Sequence, residues 1–93
     1  MIQIVWDLED DVNGNHWHIV VEGHGVTREE VEEVLLDRDN STEVSRSSGN
    51  FITFGWTSAG QHIAVLWELA CDDPKMVYPL TAYPVPPPGD SEA

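Results

Sequence analysis

Positive charge is what this 93-residue chain has least of: Arg28, Arg38, Arg46 and Lys75 are its only Lys and Arg residues. They stand against 17 Asp and Glu, for a formal net charge of −13. Affinity for DNA or RNA comes from cations seated on phosphates and from the counterions they release. Four scattered cations make a weak phosphate clamp, and the carboxylates repel the nucleic-acid backbone. DNA is therefore excluded as a partner, and RNA is expected to bind only weakly if at all. The same field keeps the chain soluble and attracts basic proteins.

Cysteine is nearly absent. Cys71 stands alone, so no internal disulfide can form, and a reducing, cytoplasmic setting is expected. No run approaches the ~20 apolar residues of a membrane-spanning helix, so no membrane partner is expected. The chain opens on strand-like residues without a basic leader, which predicts no signal peptide. There are no internal repeats.

The usual metal patterns are missing too. His16, His18, His24 and His62 fall at no zinc spacing and have no cysteine pair to complete a site. Asp7, Glu9, Asp10 and Asp11 form an acidic turn that does not fit an EF-hand loop. No metal and no other cofactor is expected.

What is present is enough for one small domain. The apolar fraction is 41%, and four Trp, two Phe and two Tyr supply core volume that the length does not. Residues 2–6 read as a strand, with Ile2, Ile4 and Trp6 on one face. Residues 7–15 are turn-rich around Asn13-Gly14. For residues 16–22 the β-branched run Ile19-Val20-Val21 favours a strand, although pattern alone does not settle so short a segment. Thr27 and Glu30 then form a capping box, with Val26 and Val31 at the staple positions. Val31, Val34 and Leu35 make an apolar stripe, which predicts a helix over 28–36.

Residues 37–50 are polar, with a short strand expected at 41–46. Residues 51–56 and 62–69 read as a hairpin joined by Thr57-Ser58-Ala59-Gly60-Gln61. A last strand is expected at 76–83. Pro79 has no amide donor, which predicts that this strand is at an edge or bulged there. From Pro84 the composition turns to proline, glycine and acid, as expected of an extended or disordered tail over 84–93. The domain is thus 1–83, of α+β class: a small antiparallel sheet of about four strands with one or two helices in the N-terminal half.

Several side chains suit chemistry. Arg46, Thr57, Gln61, His62, Tyr78 and Tyr83 fall on strands and turns that can share one open sheet face. A histidine as general base, an arginine on the phosphate and a tyrosine as donor would make a ribonuclease-type cleft. On the plainer alternative the tyrosines pack and Arg46 pairs with an acid such as Glu43. Trp6, Trp17, Trp56 and Trp67 offer stacking surfaces for bases, but without a basic funnel at least three of the four are better read as core.

Three stretches resemble the BrnT family of toxin components from bacterial toxin–antitoxin modules. They are Ile4-Val5-Trp6-Asp7, His24-Gly25-Val26-Thr27 leading into Glu29-Glu30-Val31, and Phe54-Gly55-Trp56-Thr57-Ser58-Ala59-Gly60 followed by Ile63-Ala64-Val65-Leu66-Trp67. The resemblance implies a RelE-like fold, with a small antiparallel sheet backed by two helices, and so a helix over 14–23. It also implies metal-independent endoribonuclease activity and a ribbon-helix-helix antitoxin as partner. On that reading Arg46, His62, Tyr83 and His24 are the candidate catalytic residues, and Gln61, Tyr78 and Thr57 contact substrate. Two departures weaken the catalytic part. Gln61 stands where the family hairpin has Arg, and Thr81-Ala82-Tyr83 runs into proline where the family has a basic stretch. Cations are what neutralise the transition state of phosphodiester cleavage. The resemblance therefore implies a toxin-family protein whose activity is weak or lost. The alternative is a non-catalytic acidic protein that binds a basic partner.

Overall fold

The computed structural model describes residues 2–23, 25–44 and 49–87. The elements are β1 (Gln3–Ile4), a π-helix (Trp17–Val21), α1 (Arg28–Leu36), β2 (Ser41–Val44), β3 (Phe51–Trp56), β4 (His62–Asp72) and β5 (Lys75–Pro84). The strands form one mixed sheet in the order β1-β5-β4-β3-β2. The class is α+β. The sheet has five strands, and its short first strand runs parallel to the last, with Gln3 opposite Met76 and Ile4 opposite Val77. The other pairings are antiparallel.

Alternation along the strands divides the sheet into two faces. Ile63, Val65 and Trp67 of β4, with Val77 and Ala82 of β5, point to one side and pack against Ile19, Val31 and Val34. Both helices therefore cover this face. The opposite face carries Ile52, Phe54 and Trp56 of β3, His62, Ala64 and Leu66 of β4, and Thr81 and Tyr83 of β5.

The helix start is as the sequence predicts. Glu30 N donates to Thr27 Oγ1 at 3.1 Å and Thr27 N donates to Glu30 Oε1 at 2.9 Å. At the other end Asn40 Nδ2 donates to the Val34 carbonyl at 2.9 Å, satisfying one of the carbonyls a helix terminus leaves free. Two further bonds lock α1 to its surroundings. Trp6 Nε1 donates to Glu32 at 2.8 Å, and Ser58 N donates to Glu33 at 2.9 Å.

Residues 16–22 correct the strand leaning of the sequence pattern. Trp17–Val21 is a π-helix, closed by the Glu22 amide donating to the Trp17 carbonyl at 2.9 Å. Of its β-branched run only Ile19 is fully buried, and Val21 is 53% exposed. A strand needs a neighbouring edge to satisfy its backbone, and this segment lies over the sheet face instead, where it supplies its own hydrogen bonds. Gly23 permits the exit: a Cβ there would lie 1.8 Å from the Ile19 carbonyl oxygen.

β5 lies between β1 and β4, but β1 pairs with it only at Met76 and Val77. At Pro79 the strand therefore pairs with β4 alone, and its other side is an edge, where the Asn15 side chain bonds the Pro79 carbonyl. The register shifts where Leu66 pairs with Thr81 and Trp67 with Pro79, which is the bulge that accommodates the missing donor. β5 reaches Pro84, and the Val85 amide donates to the His62 carbonyl at 3.0 Å, so the ladder extends past the expected start of the tail. Residues 88–93 of that tail, and residues 45 and 46 of the strand expected at 41–46, lie outside the described residues.

Candidate functional site

His62 and Tyr83 share the helix-free face. Tyr83 pairs with Ala64 on the neighbouring strand, which places it diagonal to His62, a spacing of about 7–8 Å in such ladders. His62 is 8% exposed. Its ring lies 5.0 Å from that of Trp56, its cross-strand partner, at a 53° tilt. Its Nδ1 is 3.4 Å from the Val85 carbonyl, too long for a strong bond. Trp56 is 54% exposed and forms the outer wall.

The other predicted site residues are placed differently. Thr57 and Gln61 close the hairpin turn: Thr57 N donates to the Gln61 carbonyl at 2.8 Å, and Gln61 N donates to Thr57 Oγ1 at 3.2 Å. Thr57 is buried there, and the Gln61 side-chain amide nitrogen is buried with no partner among the described residues. Tyr78 pairs with Glu68, six positions along β4 from His62. At about 3.3 Å per residue this separates the two by about 20 Å. Arg46 and His24 lie outside the described residues.

The described cations stand on the other side of the sheet. Arg28 lies 3.9 Å from Glu9 and 5.0 Å from the Trp6 ring centre. Lys75 lies 5.7 Å from the ring centre of Trp67, whose side chain belongs to the core. Arg38 follows α1 and lines a hollow with Leu35 and Val77. Among the described residues no Lys or Arg stands beside His62 and Tyr83. The other histidines do not gather either. His16 meets Trp6 edge-on at 6.3 Å and His18 is exposed. Among the described residues no three His, Cys, Asp or Glu side chains converge as a metal site requires.

The sequence reading missed a polar knot at the β1 edge. The Asp7 carboxylate accepts from the Tyr78 hydroxyl and, at 2.9 Å, from the Asn15 amide. Asn15 is 3% exposed. Its Oδ1 accepts from Asp7 N at 2.8 Å, and its Nδ2 donates to the carbonyls of Val5 at 2.9 Å and Pro79 at 3.0 Å. Gly14 allows the close approach, since a Cβ there would lie 2.5 Å from that of Asp7. No local pattern joins positions 7, 15 and 78, and an Asn in a turn-rich run is no signal by itself.

The knot shifts two titrations in opposite directions. The Tyr78 hydroxyl, helped by the Asn15 amide, holds the Asp7 carboxyl below its ordinary value of 3.8. Asp7 in turn pushes the Tyr78 phenol from 10.0 up to about 12, with burial adding to the effect. A raised folded-state pKa stabilises below the unfolded value and loses that contribution as the pH climbs through the folded one. Tyr78 thus contributes fully below pH 10 and its contribution disappears by about pH 12. Asp7 contributes above 3.8 and is lost in stronger acid. Tyr78→Phe is expected to cost about 2 kcal/mol at pH 7, as loss of a hydrogen bond to a charged acceptor does. Urea unfolding across pH 7–12 checks this: the gap between the two proteins should close between pH 10 and 12. A gap that stays constant to pH 12 would remove Asp7 as the acceptor.

No helix among the described residues is long and apolar enough to cross a membrane. No protein-family model matches the chain, and no curated protein or solved structure matches it significantly.

Proposed function

We propose that this chain is a BrnT-like toxin-family protein of a type II toxin–antitoxin module, that its endoribonuclease activity is weak or lost, and that it acts by holding a basic protein. The kinship rests on the order of the three motifs. Two helices on one face of a small sheet agree with what that resemblance implies. The loss of activity rests on one observation: among the described residues, His62 and Tyr83 lie on the face opposite Arg28, Arg38 and Lys75. Arg46, the candidate phosphate clamp, lies outside the described residues. With Arg28, Arg38 and Lys75 all on the other face, the base and the donor lack three of the chain's four Lys and Arg residues for holding a scissile phosphate and offsetting the charge that builds in its transition state.

The partner follows from charge. A surface with a net −13 recruits a basic protein, and a ribbon-helix-helix antitoxin encoded beside this chain is the first candidate. Induced expression is expected to leave growth unchanged, and purified protein to leave RNA uncut with or without a chelator. The adjacent ribbon-helix-helix protein should bind, and its affinity should fall as salt rises from 0.05 to 0.5 M. RNA cleavage that disappears in His62→Ala would restore the enzyme. Salt-independent binding would remove the charge argument.

A further inference from the structure

A hollow of about 690 Å³ opens on the helix-bearing side, between the end of α1 and the β4–β5 turn. That is the size of a small-molecule site. Its walls are apolar where Ile2, Leu35 and Val77 line it, with Trp67 beside them. Two of the chain's four cations, Arg38 and Lys75, also line it. Neither makes an ion pair with any described carboxylate, in a chain with 17 acids. Cations left unpaired against apolar walls invite an anion with an apolar body.

A third donor points the same way. Trp67 Nε1 donates to Thr53 Oγ1 at 2.9 Å, and Thr53 Oγ1 lies 2.7 Å from Thr42 Oγ1. Thr53 is 4% exposed, so its own proton needs an acceptor, and Thr42 is the one within reach among the described residues. The chain of donors therefore runs Trp67 to Thr53 to Thr42. It leaves the proton of Thr42, which is exposed and lines the hollow, free to donate.

The wall also limits the charge of the guest. Asp37 and Asp73 line it too, and Asp37 Oδ1 accepts from the Asp39 amide at 3.0 Å within its own turn. Two cations against two carboxylates leave the lining no surplus positive charge, which disfavours a doubly charged guest. A singly charged head group is held by local contact with Arg38 and Lys75 rather than by the net field. We infer that this hollow binds a small monocarboxylate with an apolar body, its head group on Arg38, Lys75 and Thr42 and its body against Leu35, Val77 and Trp67. This site stands apart from the partner-binding reading.

The test uses the full chain and 4-phenylbutyrate, followed by two-dimensional amide NMR at 0.15 M salt, where the chain's long-range field is screened within about 8 Å. Saturable shifts are expected at the Trp67 indole N–H, Thr42, Thr53 and Val77. The neutral 4-phenylbutanamide should bind about tenfold more weakly, as should the double variant Arg38→Gln/Lys75→Gln. Both replaced side chains are exposed, so the spectrum should remain that of the folded protein. Phenyl phosphate, doubly charged at pH 8, should bind more weakly than the carboxylate. Four results would each overturn the assignment: no saturable shifts, equal affinity for the amide, full affinity in the double variant, or tighter binding of the phosphate.

Discussion

Replacing Asn15 by alanine is expected to lower the stability of the fold by about 3 kcal/mol, the full effect of leaving several buried polar groups without partners. The Asn15 side chain serves the Asp7 amide and the Val5 and Pro79 carbonyls, and these lie on segments 8, 10 and 64 residues away in the chain. Pro79 is itself buried, so water does not simply replace the lost donor at its carbonyl. Each orphaned group costs about 1–3 kcal/mol, and groups sharing one partner do not add fully. For a domain of this size the loss corresponds to a fall of about 12–24 °C in Tm. Asn15→Asp should be no better. It keeps the acceptor but turns the donor into an oxygen facing two carbonyls, beside the Asp7 carboxylate. Thermal and urea unfolding at pH 7 measure both. An Asn15→Ala variant within 1 kcal/mol of the parent would show that the knot does not hold β1 and β5 together.

Trp67→Ala is expected to cost about 4 kcal/mol, in the range of large aromatic truncations in a core. Trp67 is 7% exposed and stacks on Phe51, with ring centres 4.5 Å apart and planes within 20°. It also sits where the register shifts opposite Pro79. Its loss leaves a cavity and removes the donor to Thr53. Trp67→Phe keeps most of the apolar volume and loses the N–H, so about 1–1.5 kcal/mol is expected. Urea unfolding separates the two terms: the Ala–Phe difference reads packing, and the remainder reads the hydrogen bond. Equal losses in both variants would mean that the hydrogen bond dominates and the cavity has collapsed.

Much of the secondary structure was legible because its causes are local. Thr27 and Glu30 are three residues apart, and the capping bonds they make need no other part of the chain. The 51–56 and 62–69 hairpin follows from two apolar runs and a short turn, and Pro79 announces its own irregularity. That His62 and Tyr83 could share a face was legible too, although the register of β4 on β5, which alternation alone does not give, decided that they do. The grouping of Tyr78 with them was not. A bulge and six positions of strand intervene, and its hydroxyl goes to Asp7 instead.

Residues 16–22 misled for a physical reason. β-branched side chains fit a strand only where an edge is free to pair, and whether one is free depends on the rest of the molecule. The place of β1 in the sheet was hidden likewise: Gln3 meets Met76 across more than 70 residues, and nothing near either one specifies the other.

Composition and short-range pattern alone determined the acidity, the single free thiol, the α+β class, the capped helix and the central hairpin. Charge is a sum, and caps and turns are bonds between near neighbours. Tertiary structure alone decided that Asp7, Asn15 and Tyr78 meet, that Arg38 and Lys75 open on one hollow, and that the described cations stand away from His62 and Tyr83. Those contacts join residues far apart in the chain, and only the packing of both helices onto one face of the sheet brings them together.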